Sequence, residues 1–160
     1  MGQLIHKFNN NIQIQNLNLL IQLYNLKNYT ISDLFDCIEV IDKHYPSSYR
    51  LLYKEFDEIF GSLTDDTEPI FTQLANHEEK TEKAVDLYES LALICLFSGD
   101  LFENKIHFIF RLFDFDNSDS LEKTELIFTI CTCVKSLCKI WNILIPKQEF
   151  FEGISQKYYI

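Results

Sequence analysis

The sequence has few basic residues and no basic run. Its 160 residues include 14 Lys and Arg against 24 Asp and Glu, which gives a formal net charge of −10 at pH 7. A surface that binds nucleic acid needs a basic patch or stripe, so this balance argues against a nucleic-acid partner. An acidic balance is instead usual where cation sites are built from carboxylates.

A signal-peptide pattern is also missing, and the five cysteines are an odd number. Both features predict a reducing intracellular compartment in the cytoplasm rather than a secreted disulfide framework. Cys131, Cys133 and Cys138 lie close together, but no second cluster completes a tetrahedral metal site, so we interpret them as core residues. None of the four histidines falls in a nucleophile or metal motif. The sequence therefore predicts a protein that is not an enzyme.

No hydrophobic run is free of charge over the length of a bilayer. The most apolar stretch, residues 126–145, contains Lys135 and Lys139, and charges near the centre of a membrane span are costly. We therefore predict no transmembrane segment and interpret the stretch as a buried or partner-covered helix. N-myristoylation is not predicted either, because its motif has Ser or Thr where this chain has His6.

What the sequence does contain is a regular series of oxygen side chains in residues 114–125. Ca²⁺ takes six to eight oxygen ligands, which a twelve-residue loop can supply from alternate positions, one backbone carbonyl and a bidentate Glu at position 12. Leu121, at position 8, fits a slot that points an aliphatic side chain into the core. The predicted calcium ligands are Asp114, Asp116, Ser118, the carbonyl of Ser120, Glu122 (directly or through water) and Glu125.

Asp119 departs from this loop pattern. Position 6 is normally Gly because the chain turns there with positive φ, and Asp visits that region at a cost of roughly 1–2 kcal/mol. We expect a weakened site, with a Kd on the order of 10⁻⁶ to 10⁻⁴ M. The alternative is an acidic, solvated turn that binds nothing at physiological calcium.

Helices are predicted on both sides of the loop. Ile106, Ile109, Phe110 and Phe113 share one helical face before it, Asp100 and Glu103 form a candidate capping pair, and a very apolar helix runs from Leu126 to Leu137. A loop of this composition is informative only in such a setting. The helix–loop–helix arrangement therefore supports the calcium prediction.

A second, decayed copy of the pattern precedes the loop. Val85 and Glu89 lie 36 residues before Leu121 and Glu125, at positions 8 and 12 of an earlier loop. A calcium loop with its two flanking helices, which we call a hand, usually comes in pairs, so we expect Val85 to face Leu121. The ligand positions 1, 3 and 5 of the earlier loop are Glu78, Lys80 and Glu82. A lysine opposes a cation there, so this hand is predicted to be empty and structural.

The fold class predicted is all-α, with paired hands, the first degenerate, preceded by N-terminal helices. We divide the chain into a flexible arm (1–16), N-terminal helices (17–62), a pair of hands (63–140) and a helical tail (141–160). Within the pair, the vestigial hand covers 69–98 and the calcium-binding hand 100–138. In the N-terminal part, Ser32 is predicted to cap a helix over 33–44, and a further helix is predicted over 49–60. We expect the tail to pack against the hands or to bind a partner.

Together these residues resemble the calcium-sensor branch of the EF-hand superfamily, which includes neuronal calcium sensors, calcineurin B and calaxin-like proteins. The segments that resemble the calaxin-like family are residues 20–24 (LIQLY), 60–61 (FG), 64–66 (TDD) and 96–100 (LFSGD). The resemblance implies a calcium-binding, protein-docking role in the axoneme of a cilium or flagellum, with axonemal dynein or tubulin-associated proteins as partners.

Three functional classes remain open on this basis. The first is a calcium sensor or adaptor that offers an apolar groove to a partner helix, with the helix from Leu126 as the groove's wall. The second is a structural subunit of a cytoskeletal assembly, in which calcium is incidental or absent. The third is the regulatory subunit of an enzyme, in the manner of calcineurin B.

Overall fold

Eight α-helices and one short β-ladder form the part of the chain that this computed structural model describes, residues 17–75 and 83–158. The mostly helical architecture confirms the all-α prediction, whereas the N-terminal arm and the ligand positions Glu78, Lys80 and Glu82 lie outside the described residues. The elements, in chain order, are α1 (Leu17–Asn25, continued by a 3-10 turn, Leu26–Asn28), α2 (Ile31–His44), β1 (Arg50–Leu51), α3 (Tyr53–Phe60), α4 (Glu68–Ala75), β2 (Val85–Asp86), α5 (Leu87–Phe97), α6 (Phe102–Phe113), α7 (Lys123–Ile140) and α8 (Gln148–Tyr158).

These elements repeat a helix–loop–helix pattern three times. We name the repeats the first unit (α2, β1 and α3), the second unit (α4, β2 and α5) and the third unit (α6 and α7). A shared hydrophobic core connects them, with Leu34, Phe56, Leu74, Leu93 and Phe113 among its buried side chains. The units are therefore packed around one interior.

The β-ladder joins the first unit to the second. Val85 pairs with Leu51 in antiparallel register, and Arg50 pairs with Asp86. The sequence predicted Leu121 as the residue facing Val85, so the ladder corrects that prediction. The predicted helix over 49–60 is also too long: it begins at Tyr53, because the extended Leu52 donates its N–H to Glu55 Oε2 at 2.8 Å and caps the helix there.

The start of α2 also differs from its prediction. Its N-cap is Thr30 rather than Ser32, and Thr30 donates its backbone N–H to Asp33 Oδ2 at 2.6 Å. This contact lowers the pKa of Asp33. A second carboxylate comes from far along the chain, since Asp100 Oδ2 accepts the N–H of Ile31 at 3.0 Å. The α5–α6 linker thus completes the N-terminus of α2.

That linker lies very close to the 3-10 turn. Gly99 donates its N–H to Tyr29 O at 2.7 Å, and a β-carbon at Gly99 would lie 1.7 Å from Lys27 O. The Lys105 ammonium donates to Leu96 O and Ser98 O, at 2.9 and 2.6 Å, which satisfies carbonyls at the C-terminus of α5. Only glycine fits this close approach of two backbones.

The long helix α7 packs against α4, α5, α6 and α8. It ends because Asn142 adopts a left-handed conformation (φ 52°), which lets Ile143 N–H bond to Cys138 O at 2.8 Å. Trp141, just beyond the helix, stacks on Phe97 with ring centroids 5.5 Å apart. The apolar stretch 126–145 is therefore not one continuous helix, and no helix among the described residues is long and apolar enough to cross a membrane.

The tail packs on the rest of the chain. α8 lies against α7, and its Phe151 is buried while the neighbouring Phe150 remains exposed. Of the two expectations for this segment, the described contacts agree with packing against the helices. Phe150 stays available on the outer face.

Candidate metal centre

The loop over residues 114–125 (the acidic loop) joins α6 to α7, as the sequence predicts. Asp114 is buried at the end of α6, where it donates its N–H to Phe110 O at 3.0 Å. Glu125 lies in the first turn of α7. The two ends of the loop are thus fixed by two packed helices, and the residues between them are mostly exposed.

Two residues of the acidic loop adopt a left-handed backbone. Asn117 has φ 54° and Asp119 has φ 56°. Asn and Asp are the non-glycine residues that enter this region most readily. Asp119 donates its N–H to Asp114 Oδ2 at 3.0 Å. The turn that position 6 requires is therefore formed without glycine.

Three carboxylates converge inside the acidic loop. One oxygen from each of Asp114, Asp116 and Glu125 lies within 4.8 Å of the other two. Around Ca²⁺, with ligands at about 2.3–2.6 Å, two oxygens on opposite sides of the ion are about 4.6–5.2 Å apart. The spacing and the hard oxygen donors therefore fit a calcium ion.

Backbone N–H groups hold these carboxylates in place. Asp114 Oδ1 accepts from Ser118 N at 2.9 Å, and Glu125 accepts from Phe115 N at 3.0 Å and Glu122 N at 2.9 Å. Hydrogen bonding from Ser118 lowers the pKa of Asp116. The loop is thus folded around its own acidic groups.

The remaining predicted ligands occupy two different positions. The Ser118 hydroxyl donates to the carbonyl of Ser120 at 2.9 Å and lies 3.5 Å from Asp114 Oδ1, so Ser118 and the Ser120 carbonyl lie beside the carboxylates. The exposed Glu122 is not part of the converging trio. Its coordination of the ion, directly or through water, stays a prediction.

A group of aromatic rings connects the acidic loop to the second unit. Tyr88, from α5, has its ring centroid 5.8 Å from Phe113 and 5.7 Å from Phe115. Phe128, in α7, lies 5.6 Å from Phe113 and 5.9 Å from Phe115. Edge-on and tilted contacts of this kind add to the energy of apolar burial. The loop therefore contacts α5 through Phe115 and Tyr88.

The second unit contains a contact that the sequence analysis missed. Glu89, the residue at position 12 of the decayed loop, binds Lys139 of α7, with Lys139 Nζ 2.6 Å from Glu89 Oε2. The backbone of Lys139 is held as well, because its carbonyl accepts from Gln73 Nε2 at 2.8 Å. We call this arrangement the Lys139 clamp. Glu89 and Gln73 lie 50 and 66 residues before Lys139 in the sequence, so local spacing gives no signal for the clamp.

The first unit, also missed, did have a sequence signal. Leu51 and Glu55 lie 34 residues before Val85 and Glu89, and the same four-residue interval separates Leu121 from Glu125. In the structure Glu55 caps Leu52 just as Glu125 caps Glu122. A search for a hydrophobic residue followed four positions later by Glu would have found this unit.

Comparisons with protein-family models, with curated proteins and with solved structures found no match for this chain. The EF-hand resemblance therefore stays a prediction from the sequence, and the geometry of the acidic loop is what supports a function.

Proposed function

We propose that this protein is a non-enzymatic, calcium-binding EF-hand protein that acts as a sensor or adaptor. The observation that carries the proposal is the convergence of Asp114, Asp116 and Glu125 to within 4.8 Å, at the spacing that Ca²⁺ requires. Ser118, the Ser120 carbonyl and Glu122, the last directly or through water, supply the further ligands. The bound ion supplies the positive charge that three converging carboxylates need.

The sensor role rests on the position of Glu125. This residue belongs to the first turn of α7, so a change in its ligation repositions the helix. Sensor hands work through such a change in the angle between their helices. An open groove of about 780 Å³ lies beside the loop, lined by Phe102, Ile106, Phe110 and Asp119 among others. Phe102 and Ile106 are 71% and 53% exposed, which suits the apolar face of a partner helix.

This groove is formed by α6, whereas the sequence analysis named the helix from Leu126 as the wall. The contacts of α7 favour this choice, since α7 packs against α4, α5, α6 and α8. We therefore propose the α6 face as the docking surface. Following the resemblance to calaxin-like proteins, we propose an axonemal assembly as its setting.

A second candidate is a structural EF-hand subunit of a cytoskeletal assembly, with incidental calcium or none. It is favoured by the Lys139 clamp, which fixes α7. It is also favoured by the backbone hydrogen bonds that shape the acidic loop.

The first test is calorimetric titration of the full chain with Ca²⁺ in millimolar Mg²⁺, beside the Glu125→Gln variant. We expect one site with a Kd on the order of 10⁻⁶ to 10⁻⁴ M in the wild type and none in the variant, because Gln removes the bidentate carboxylate. Glu39→Gln is the matched control, since it removes the same charge from an exposed residue of α2 outside the acidic loop, and it should retain binding. No heat from the wild type up to about a millimolar would reject calcium binding.

A further inference from the structure

We propose that the Lys139 ammonium takes the place of a bound metal cation in the second unit. Through this contact, α7 couples the second unit to calcium binding at the acidic loop. Lys139 Nζ lies 2.6 Å from Glu89 Oε2, and the two side chains are only 8% and 11% exposed. The coupling half of this proposal rests on the calcium binding proposed above. The claim that Lys139 replaces a cation, called the cation half below, rests on the clamp alone.

Glu89 occupies in the second unit the place that Glu125 occupies in the third. Both lie in the first turn of the helix that leaves the loop, and Glu125 belongs to the carboxylate cluster. Glu89 is instead buried against α7. A buried carboxylate is unstable unless a cation or hydrogen-bond donors compensate its charge. Burial raises the pKa of Glu89, and Lys139 opposes that rise. The Lys139 side chain thus compensates the charge of Glu89, as a bound metal ion would.

α7 carries both cation sites, one at each end. Glu125 lies in its first turn, and Lys139 is the residue before its last, Ile140. At the far end, the Lys139 side chain binds α5 through Glu89, and the Lys139 carbonyl binds α4 through Gln73. The clamp therefore fixes α7 to both helices of the second unit.

The sign of the coupling follows from the arrangement of the two sites. The clamp is closed in the same structure in which Asp114, Asp116 and Glu125 already lie at calcium spacing. The clamp and calcium therefore favour the same position of α7. Two interactions that stabilise one conformation strengthen each other, and the effect is reciprocal.

The experiment compares Ca²⁺ titrations of the wild type, Lys139→Met and Lys135→Met. Lys135 lies one turn earlier on α7 and acts on Glu89 only as a more distant charge, so its variant loses the same net charge and keeps the clamp. We expect Lys139→Met to raise the Kd for Ca²⁺ about 5-fold or more, and Lys135→Met to change it less than about 2-fold. Equal effects, or tighter binding by Lys139→Met, would overturn the coupling.

A thermal-unfolding cycle without calcium tests the cation half separately, using Glu89→Gln, Lys139→Met and the double variant. Breaking a buried pair from one side should lower Tm by roughly 6–20 °C. The double variant should lose clearly less than the sum of the two single losses. Additive losses would show that Lys139 does not serve Glu89. A wild-type chain that binds no Ca²⁺ would reject the proposed function together with the coupling, while this cycle would still decide the cation half.

Discussion

Asp119 is one of the two residues of the acidic loop with a left-handed backbone. Its φ of 56° is in the region that disfavours side chains with a β-carbon. Asp is more tolerant of it than most residues, and the N–H of Asp119 bonds to Asp114 in this conformation. The substitution of Asp for Gly at position 6 therefore adds strain without abolishing the turn.

Two variants isolate this strain, because Asp119→Gly and Asp119→Ala remove the same carboxylate. Left-handed backbone costs alanine roughly 1–2 kcal/mol more than glycine. The Gly variant should therefore unfold at a Tm about 2–8 °C above that of the Ala variant, measured by circular dichroism without calcium. Identical melting temperatures would mean that the loop relaxes out of this turn in solution.

Residues within the acidic loop were predictable from sequence because their spacing is local. Asp114, Asp116 and Glu125 lie within twelve positions, and a helix on each side leaves few ways to arrange them. The pairing of Glu89 with Lys139 was not predictable, since it depends on how α5 and α7 pack. Lys139 instead looked like a charge that interrupts an apolar helix, with no partner in view.

Among the elements, the α5–α6 linker closely approaches the N-terminal helices. Gly99 bonds to Tyr29, and Asp100 binds the first N–H of α2. A β-carbon at Gly99 would overlap the backbone of Lys27. The linker and the 3-10 turn can therefore not both keep their positions if any other residue replaces Gly99.

Gly99→Ala should lower the free energy of unfolding by about 2 kcal/mol or more, because backbone atoms have to move. Gly153→Ala is the matched control: Gly153 lies in α8 and a β-carbon there meets nothing within 4 Å. The control should be neutral or stabilising by up to about 1 kcal/mol, through helix propensity. Urea denaturation measures both. A similar loss in the two variants would contradict the close approach.

The helices were easier to predict than the contacts between distant segments. Periodic apolar residues gave α6 and α7 to within a few residues. The strand Arg50–Leu51 was hidden by the periodicity of the helix that follows it, and the pairing of Val85 with Leu51 is a choice between distant segments. Hydrophobic period describes one element at a time, so it could not distinguish Leu51 from Leu121.

For the whole molecule, the exposed apolar surface separates a sensor from a structural subunit. If Ca²⁺ stabilises the arrangement described, the α6 groove with Phe102 and Ile106 is open in a larger fraction of the molecules. We expect fluorescence of a hydrophobic dye to rise on calcium addition in the wild type and to stay constant in Glu125→Gln. Ile106→Glu should bind calcium and lose most of the rise. Equal dye fluorescence with and without calcium would favour the structural subunit.

Contacts between residues far apart in the sequence hold the described residues together. Asp100 completes α2 from 69 residues away, and Lys139 reaches back to Gln73 across 66. Residues 17–62 and 63–140, which the sequence pattern divides into separate regions, are therefore connected in the fold by the contact between Ile31 and Asp100.

Trp141 gives this arrangement an optical consequence. It is the chain's single tryptophan, it follows the Lys139 clamp by two residues, and its indole stacks on Phe97 at the end of α5. Ultraviolet emission excited at the red edge of protein absorption therefore originates from one point, where α7 meets α5. The unmodified protein carries its own reporter at the end of α7 that is farthest from the acidic loop.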